Sequence, residues 1–262
     1  KQLFEFKFED YRTMFFTTSI SDTCLNDIDL KKVELISVFV FSQLNCCNLS
    51  KFPNLKAIIT RSVGLNHIDI QYCDKHKIKV FNEPDYGDDT VAEFTFASML
   101  TCVRNIIAAN SDLKNNKIDM QKYTGLELKG KTIGILGFGS IGKKVAKIAN
   151  GFSMNVITYD INPPQTEEFV KFVDFQTLCK NSDFLTLNLP INDKTYHMFN
   201  KQCFNMMKNS SVIINTSRGE IIETEALYAN LKTKKLLYCA LDVLECEEIA
   251  CNRCFGSRME CL

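Results

Sequence analysis

The sequence predicts an α/β protein whose larger part is a doubly wound parallel sheet. Three observations carry that prediction. An apolar run starting at Lys131 breaks into Gly137-Phe138-Gly139-Ser140-Ile141-Gly142 and then opens a helix-like stretch, KKVAKIAN. Strand-like and helix-spaced segments alternate from there to residue 243. An acid, Asp160, closes the strand-like run NVITYD, 18 residues beyond Gly142. Such alternation implies right-handed crossovers and a sheet covered on both faces.

In chain order, LISVFV at 35–40, LKAIIT at 55–60 and KIKVFN at 77–82 read as strands, because β-branched residues run together between turn-forming ones. CCNLSKFP and HIDIQYCDKHK between them read as helix-like or turn-like connections, giving a small α/β unit. Asp88-Asp89-Thr90 supplies N-cap chemistry for a long helix in which Val91, Phe94, Ala97, Leu100, Val103 and Ile107 recur at three-to-four spacing. This helix is expected to link two domains. Residues 115–130 are polar and irregular. After them TIGIL, NVITYD, FLTLNLP, SVIINTSRG and LLYCALDV are strand candidates, with KKVAKIAN, DFQTLCK, KQCFNMMK and TEALYANLK as helices between.

Composition narrows the function. The chain has 262 residues, 45% apolar and 24% charged, enough for one large or two ordinary domains with proper cores. Lysine plus arginine equals aspartate plus glutamate at 31 each, which argues against a nucleic-acid or membrane-surface partner. No apolar run reaches the roughly 18 residues of a membrane span, and KQLFEFKFEDYR at the start does not read as a signal peptide. Cytoplasmic residence is the expectation. Of twelve cysteines, eight from Cys24 to Cys239 are scattered and read mostly as small buried hydrophobes. Cys246, Cys251, Cys254 and Cys261 cluster at the end, and Cys251-Asn-Arg-Cys254 has the spacing of a zinc knuckle or redox pair. With irregular flanks and no strand-turn context, the cluster is assigned no metal.

The Gly-rich turn has its own chemistry. Gly137 permits a tight strand-to-helix turn, Gly139 lets the backbone approach a pyrophosphate, and Gly142 lets the helix pack on the strand. Free N–H groups at the helix start face phosphate. Asp160 is placed to accept hydrogen bonds from both hydroxyls of an adenosine ribose and to repel a 2′-phosphate, which favours NAD over NADP. Ligands of such sheets sit beyond the carboxyl ends of the strands. Here those ends are the GFGSIG loop, Asp160, Asn188-Leu189-Pro190, Thr216-Ser217-Arg218-Gly219 and Asp242-Val243.

Six segments then agree in order with one family: TRSVGLNHID at 60–69, EPDYGDDTVAEFTFASML at 83–100, GFGSIGKKVA at 137–146, NLPINDKTYHMFN at 188–200, INTSRGEIIETEAL at 214–227 and LDVLECE at 241–247. On these the chain resembles the D-isomer-specific 2-hydroxyacid dehydrogenases, nearest to their D-lactate dehydrogenase branch. The resemblance runs to about Glu248. It implies a smaller flavodoxin-like α/β substrate domain over 1–90, a Rossmann NAD domain over 91–262 that begins with the linking helix, and catalysis in the cleft between them.

The resemblance also implies roles. Arg218 would hold the substrate carboxylate with its guanidinium fork and polarise the adjacent ketone. Ser62, Val63 and Gly64 would offer backbone N–H groups to the same carboxylate, and Tyr86 would reach the substrate. Ser140 and Ile141 would lie near the pyrophosphate, Leu189, Pro190 and Thr195 along the nucleotide, Thr216 and Ser217 with Arg218 beneath the nicotinamide ribose, and Asp242 near the carboxamide. Glu247 would pair with a histidine and raise its pKa, keeping it protonated as a general acid. Plainer readings stand beside these: a turn-capping arginine, an ordinary turn at 62–64, a half-buried structural tyrosine and a strand-end acid at 242.

Two departures from the family shape the expectation. The family's catalytic histidine belongs to a Pro-His loop downstream of its glutamate, and none of the three histidines here takes that place. His67 reads as structural, His76 as solvent-facing, and His197 as the maker of a structural hydrogen bond. The start of the chain lacks a strand and helix the family has, and IACNRCFGSRMECL at 249–262 matches nothing in it, so truncation at both ends is expected. The expected activity is hydride transfer between NADH and a small 2-oxo acid, with pyruvate and D-lactate favoured, in a homodimer formed through the 90–110 helix. The alternative is a non-catalytic NAD-binding pseudoenzyme or a nucleotide-sensing interaction protein.

Overall fold

A computed structural model describes residues 12–20, 28–84, 86–117, 119–163 and 168–245. The chain divides into two units, Lys1–Gly87 and Asp88–Leu262. In the first, β1 (Leu35–Val38), β2 (Ala57–Thr60) and β3 (Lys79–Phe81) form a parallel sheet in that order. They are joined by α1 (Cys46–Leu49) and α2 (Ile70–Lys75). Each helix starts on a side-chain cap: Asn45 Oδ1 accepts from Asn48 N, and Asp69 Oδ1 from Tyr72 N, both at 2.9 Å. Val38, Leu44, Leu49, Ile58, Ile68, Cys73 and Ile78 form the core. The first strand is shorter than LISVFV, because the chain turns at Phe39, whose carbonyl accepts from Ser42 N at 3.0 Å.

The second unit opens with α3 (Asp88–Val103) and α4 (Ile106–Lys114). Then follow β4 (Thr132–Leu136), α5 (Ser140–Gly151), β5 (Asn155–Tyr159), β6 (Val170–Phe172), α6 (Phe175–Asn181), β7 (Phe184–Leu187), α7 (Lys201–Met206), β8 (Ser211–Asn215), α8 (Thr224–Lys232) and β9 (Leu236–Leu241). The strands pair in parallel in the order β6-β5-β4-β7-β8-β9. Strand order reverses between β4 and β7, the place where doubly wound sheets bind ligands.

Period-two alternation explains why these strands are apolar throughout. Ile133, Ile135, Val212 and Ile214 join α3 and α5 on one face, in a core with Phe96, Met99, Val145 and Ala149. Leu136, Leu185, Leu187 and Ile213 join α6, α7 and α8 on the other, with Leu178, Phe204 and Leu227.

Several expectations are corrected. α3 buries Ala92, Thr95, Phe96, Met99, Cys102 and Val103, whereas Phe94 and Ala97 of the predicted stripe are exposed. A helix apolar on nearly every side offers more than one stripe at the same spacing, and the stripe facing α5 and β9 is the one used. Asp88 and Asp89 lie inside the first turn rather than ahead of it, where they still favour the helix dipole. The predicted continuation to Ile107 breaks at Asn105, whose backbone is left-handed at φ 52°. β6 was not predicted; it is three residues at the sheet edge with Lys171 in the middle. Among the scattered cysteines, Cys73, Cys102, Cys179 and Cys203 are buried, but Cys46 and Cys47 are exposed.

Leu185, fully buried on the central strand β7, tests the sheet core. Leu185→Ala should lower unfolding free energy by about 2–5 kcal/mol in a urea titration, whereas Phe41→Ala, at a side chain 77% exposed, should stay within about 0.5 kcal/mol of the parent.

Candidate functional site

The site of the second unit is built at the carboxyl ends of β4 and β7, where the strand order reverses. Gly137 has φ +91°, and a Cβ there would overlap the Asn188 carbonyl at the end of β7, so no other residue suits the position. Its N–H donates to the Tyr159 carbonyl at 3.0 Å. The next N–H, of Phe138, donates to Asp160 Oδ2 at 2.7 Å, and Asp160 Oδ1 accepts from Asn162 N at 2.8 Å. Asp160 therefore clamps the Gly-rich loop, and each carboxylate oxygen keeps a lone pair for a further donor.

Gly139 occupies the N-cap of α5 with no side chain to cap it, and the space where its Cβ would lie is open. The first-turn N–H groups of Ser140, Ile141 and Gly142 consequently have no intrahelical acceptor, and the helix dipole makes this end attractive to anions. Gly142 packs directly on the Gly137 carbonyl. Beside the loop, the Nδ2 and Oδ1 atoms of Asn188 are buried and have no hydrogen-bond partner among the described residues. Leaving such a buried group unpaired costs about 1–3 kcal/mol, which a ligand amide or hydroxyl would offset.

The second half of the site hangs on Asn215, the last residue of β8. Its Oδ1 accepts from the Ser217 N–H at 3.0 Å and the Ser217 hydroxyl at 2.8 Å, and its Nδ2 donates to the Arg218 carbonyl at 2.8 Å. Thr216 is tied to α3 by a 3.0 Å hydrogen bond between its hydroxyl and that of Thr95. The Asn215 carbonyl accepts from Asp242 N at 3.0 Å, which carries the β8 pairing one residue past β9. Sequence reasoning gave Asn215 no role, although an asparagine two residues ahead of a serine at a strand end is an Asx-turn signal. Arg218, thus held, is half-buried; its Nη1 donates to the Ser217 carbonyl at 2.6 Å, and no carboxylate pairs with it among the described residues.

Of the remaining predicted nucleotide contacts, Leu189 borders Gly137, Pro190 is exposed, and Thr195 is spent within its own loop. The Thr195 hydroxyl donates to the Pro190 carbonyl at 2.7 Å and accepts from Asn192 N at 2.8 Å. The structure thus gathers the Gly-rich loop with Asp160, Asn188 and Leu189, and separately Thr216, Ser217, Arg218 and Asp242 around Asn215.

Ser62, Val63, Gly64 and Tyr86 belong to the first unit. Ser62 is buried, with its hydroxyl 2.7 Å from Thr60 Oγ1 and donating to the Gly64 carbonyl at 2.9 Å. The N–H groups of 62–64 meet no acceptor among the described residues. Tyr86 is 69% exposed, not half-buried. His67 Nε2 lies 3.0 Å from Thr60 Oγ1, and burial lowers its pKa, keeping the ring neutral near pH 7. His76 is exposed and stacks on Tyr72. His197 pairs with Glu245, a residue sequence reasoning passed over. Glu247 lies outside the described residues, as do Cys246, Cys251, Cys254 and Cys261.

Over residues 96–260 the chain matches the NAD-binding domain of the D-isomer specific 2-hydroxyacid dehydrogenases. It belongs to that family. Among its relatives, a hydroxypyruvate reductase of Thermotoga maritima is 42% identical over 218 residues, covering 83% of this chain and 71% of the relative. A glyoxylate reductase of Thermococcus litoralis is 36% identical over 226 residues, covering 82% and 68%. The crystal structure of the Aquifex aeolicus D-lactate dehydrogenase, complexed with NAD and lactic acid, superposes with a TM-score of 0.85 at 37% identity, covering 96% of this chain and 76% of that one.

The dehydrogenase family's cofactor, NAD, suits the residues present: an uncapped helix start, a glycine cradle, an unpaired buried amide and a strand-end carboxylate. In this member of the family, Gly137→Ala should weaken NADH binding at least about tenfold in a fluorescence titration, because a left-handed alanine costs about 1–2 kcal/mol before its overlap with Asn188 is counted.

Glu245 supplies a pH test. Burial pushes its carboxyl up, but hydrogen bonds from Thr224 and His197 outweigh this and hold it below the ordinary 4.5. A carboxyl lowered on folding stabilises the protein fully above its unfolded pKa, and that contribution is lost as pH falls through the folded value. The gap in Tm between the parent and Glu245→Gln should accordingly close as pH drops below about 4.5 in a melting series.

Proposed function

We propose that this protein reduces a small 2-oxo acid to the D-2-hydroxy acid with NADH, and that pyruvate and D-lactate are its favoured pair. Arg218 carries this reading. A half-buried guanidinium without a carboxylate partner among the described residues, rigidly presented at a strand end beside a nucleotide site, is equipped to take a bidentate carboxylate from a ligand. The same charge polarises a ketone oxygen next to that carboxylate and stabilises negative charge as it develops there. Bound NADH supplies the hydride. In the first unit, the N–H groups of Ser62, Val63 and Gly64, which meet no acceptor among the described residues, are a second donor set suited to a carboxylate. Glu247 is proposed to raise the pKa of an imidazole general acid, its role in the resemblance. The pyruvate preference is supported by the likeness to the Aquifex aeolicus enzyme with lactic acid, with hydroxypyruvate and glyoxylate as its competitors.

We further propose a homodimer. α4 buries none of its residues, and Ile106, Ile107 and Leu113 on it are exposed, an apolar surface a second copy would cover. Cytoplasmic residence is proposed as well, because the free cysteines of the described residues suit a reducing compartment.

Two experiments test this. NADH oxidation should be followed over pyruvate, hydroxypyruvate and glyoxylate, with Arg218→Ala as control. Arg218→Ala should lower kcat/KM about 10²–10³-fold, the equivalent of roughly 3–4 kcal/mol, while NADH binding stays within about threefold. Turnover unchanged by that substitution would overturn the assignment. Saturable NADH binding with no turnover on any acid would support the second reading, a non-catalytic NAD-binding protein, which the commitment of His67 and His197 to hydrogen bonds elsewhere favours. Light scattering should give a dimer that Ile106→Asp with Ile107→Asp converts to a monomer.

A further inference from the structure

The exit of β9 is held from three directions. Its backbone presses on Gly219, where a Cβ would overlap the Leu244 carbonyl and the Glu245 nitrogen, so the residue after Arg218 must be glycine for the two segments to touch. The Glu245 side chain then reaches two other elements. Its Oε1 lies 2.5 Å from His197 Nε2, and its Oε2 accepts from the Thr224 hydroxyl at 2.7 Å and from Thr224 N at 3.3 Å. α8 has Glu223 at its N-cap with no side-chain cap bond, so its cap comes from Glu245, 21 residues beyond Thr224.

His197 is itself constrained. It has φ +47°, a left-handed backbone uncommon for a non-glycine residue, its N–H donates to the Glu220 carbonyl at 2.9 Å, and its ring stacks on Tyr196. Glu220 is two residues past Arg218. A ring of contacts therefore runs from Arg218 through Glu220, His197 and Glu245 back to Gly219, all within the second unit. Three donors on two oxygens satisfy the Glu245 carboxylate, which is only 19% exposed.

From this geometry we infer that Glu245 is a positioning residue for the Arg218 site: with His197 and Thr224 it locks the exit of β9 against the turn at Arg218 and Gly219. It thereby sets where Arg218 and Asp242 stand. The inference rests on the dehydrogenase reading for its kinetic consequence and on the contacts alone for its structural one.

The test uses Glu245→Gln, Thr224→Ala and His197→Asn with the Glu245→Gln/His197→Asn double variant, and three readouts: kcat and KM on the best 2-oxo acid, NADH affinity, and amide hydrogen exchange. Each single variant should lower kcat/KM about tenfold or more, mainly through kcat, with NADH affinity within about threefold. Exchange should quicken at 217–221 and 241–245 and not across β4 and β5, and the double variant should be no worse than the worse single one. Unchanged kcat/KM, or loosening spread over the whole sheet with matching loss of NADH binding, would overturn the positioning role. If the parent turns over no acid, the dehydrogenase reading fails by itself, and exchange still decides: local loosening around Arg218 supports the lock, and unchanged protection there refutes it.

Discussion

The close approach of β4 and β7 at their carboxyl ends governs the rest of this structure. Because the Asn188 carbonyl occupies the place a side chain would need at Gly137, the chain must leave β4 through a left-handed glycine. That departure aims the start of α5 outward between the strands, sets Phe138 N on Asp160, and leaves the first turn of the helix without a cap. One steric condition thus converts an ordinary parallel sheet into an anion site at its point of reversal.

Two asparagines at neighbouring strand ends show how the same side chain serves opposite purposes. Asn215 uses both ends of its amide, accepting twice and donating once, and its work is to hold Arg218 in place. Asn188, beside the Gly-rich loop, has a buried amide that employs neither of its ends among the described residues. The first is architecture. The second is a standing deficit, set one residue past β7 next to the Gly-rich turn.

How much of this was legible in sequence follows from how local each feature is. The central strands were readable because a strand buried on both faces is apolar without interruption, and the Gly-rich turn because its chemistry is confined to six residues and one following acid. β6 was not, since a three-residue edge strand split by a lysine leaves no pattern. The buried face of α3 escaped because the helix is apolar nearly all round, so the choice belongs to α5 and β9 rather than to α3 itself. Glu245 was passed over for a related reason: its partners lie 21 and 48 residues earlier, and only the folded sheet brings them within reach.

The bare N-cap of α5 also bears on how long the protein lasts. A helix start with nothing to quiet its first N–H groups, beside an unpaired buried amide, is a part of the fold that the chain does not finish alone. Cofactor that binds only the folded state completes it, adding about 2.7 kcal/mol at a hundredfold excess over its Kd. The population that opens, and so the fraction open to proteolysis, then depends on the supply of dinucleotide around it. Cells that deplete this cofactor would hold less of the folded protein, making abundance a slow record of nucleotide supply.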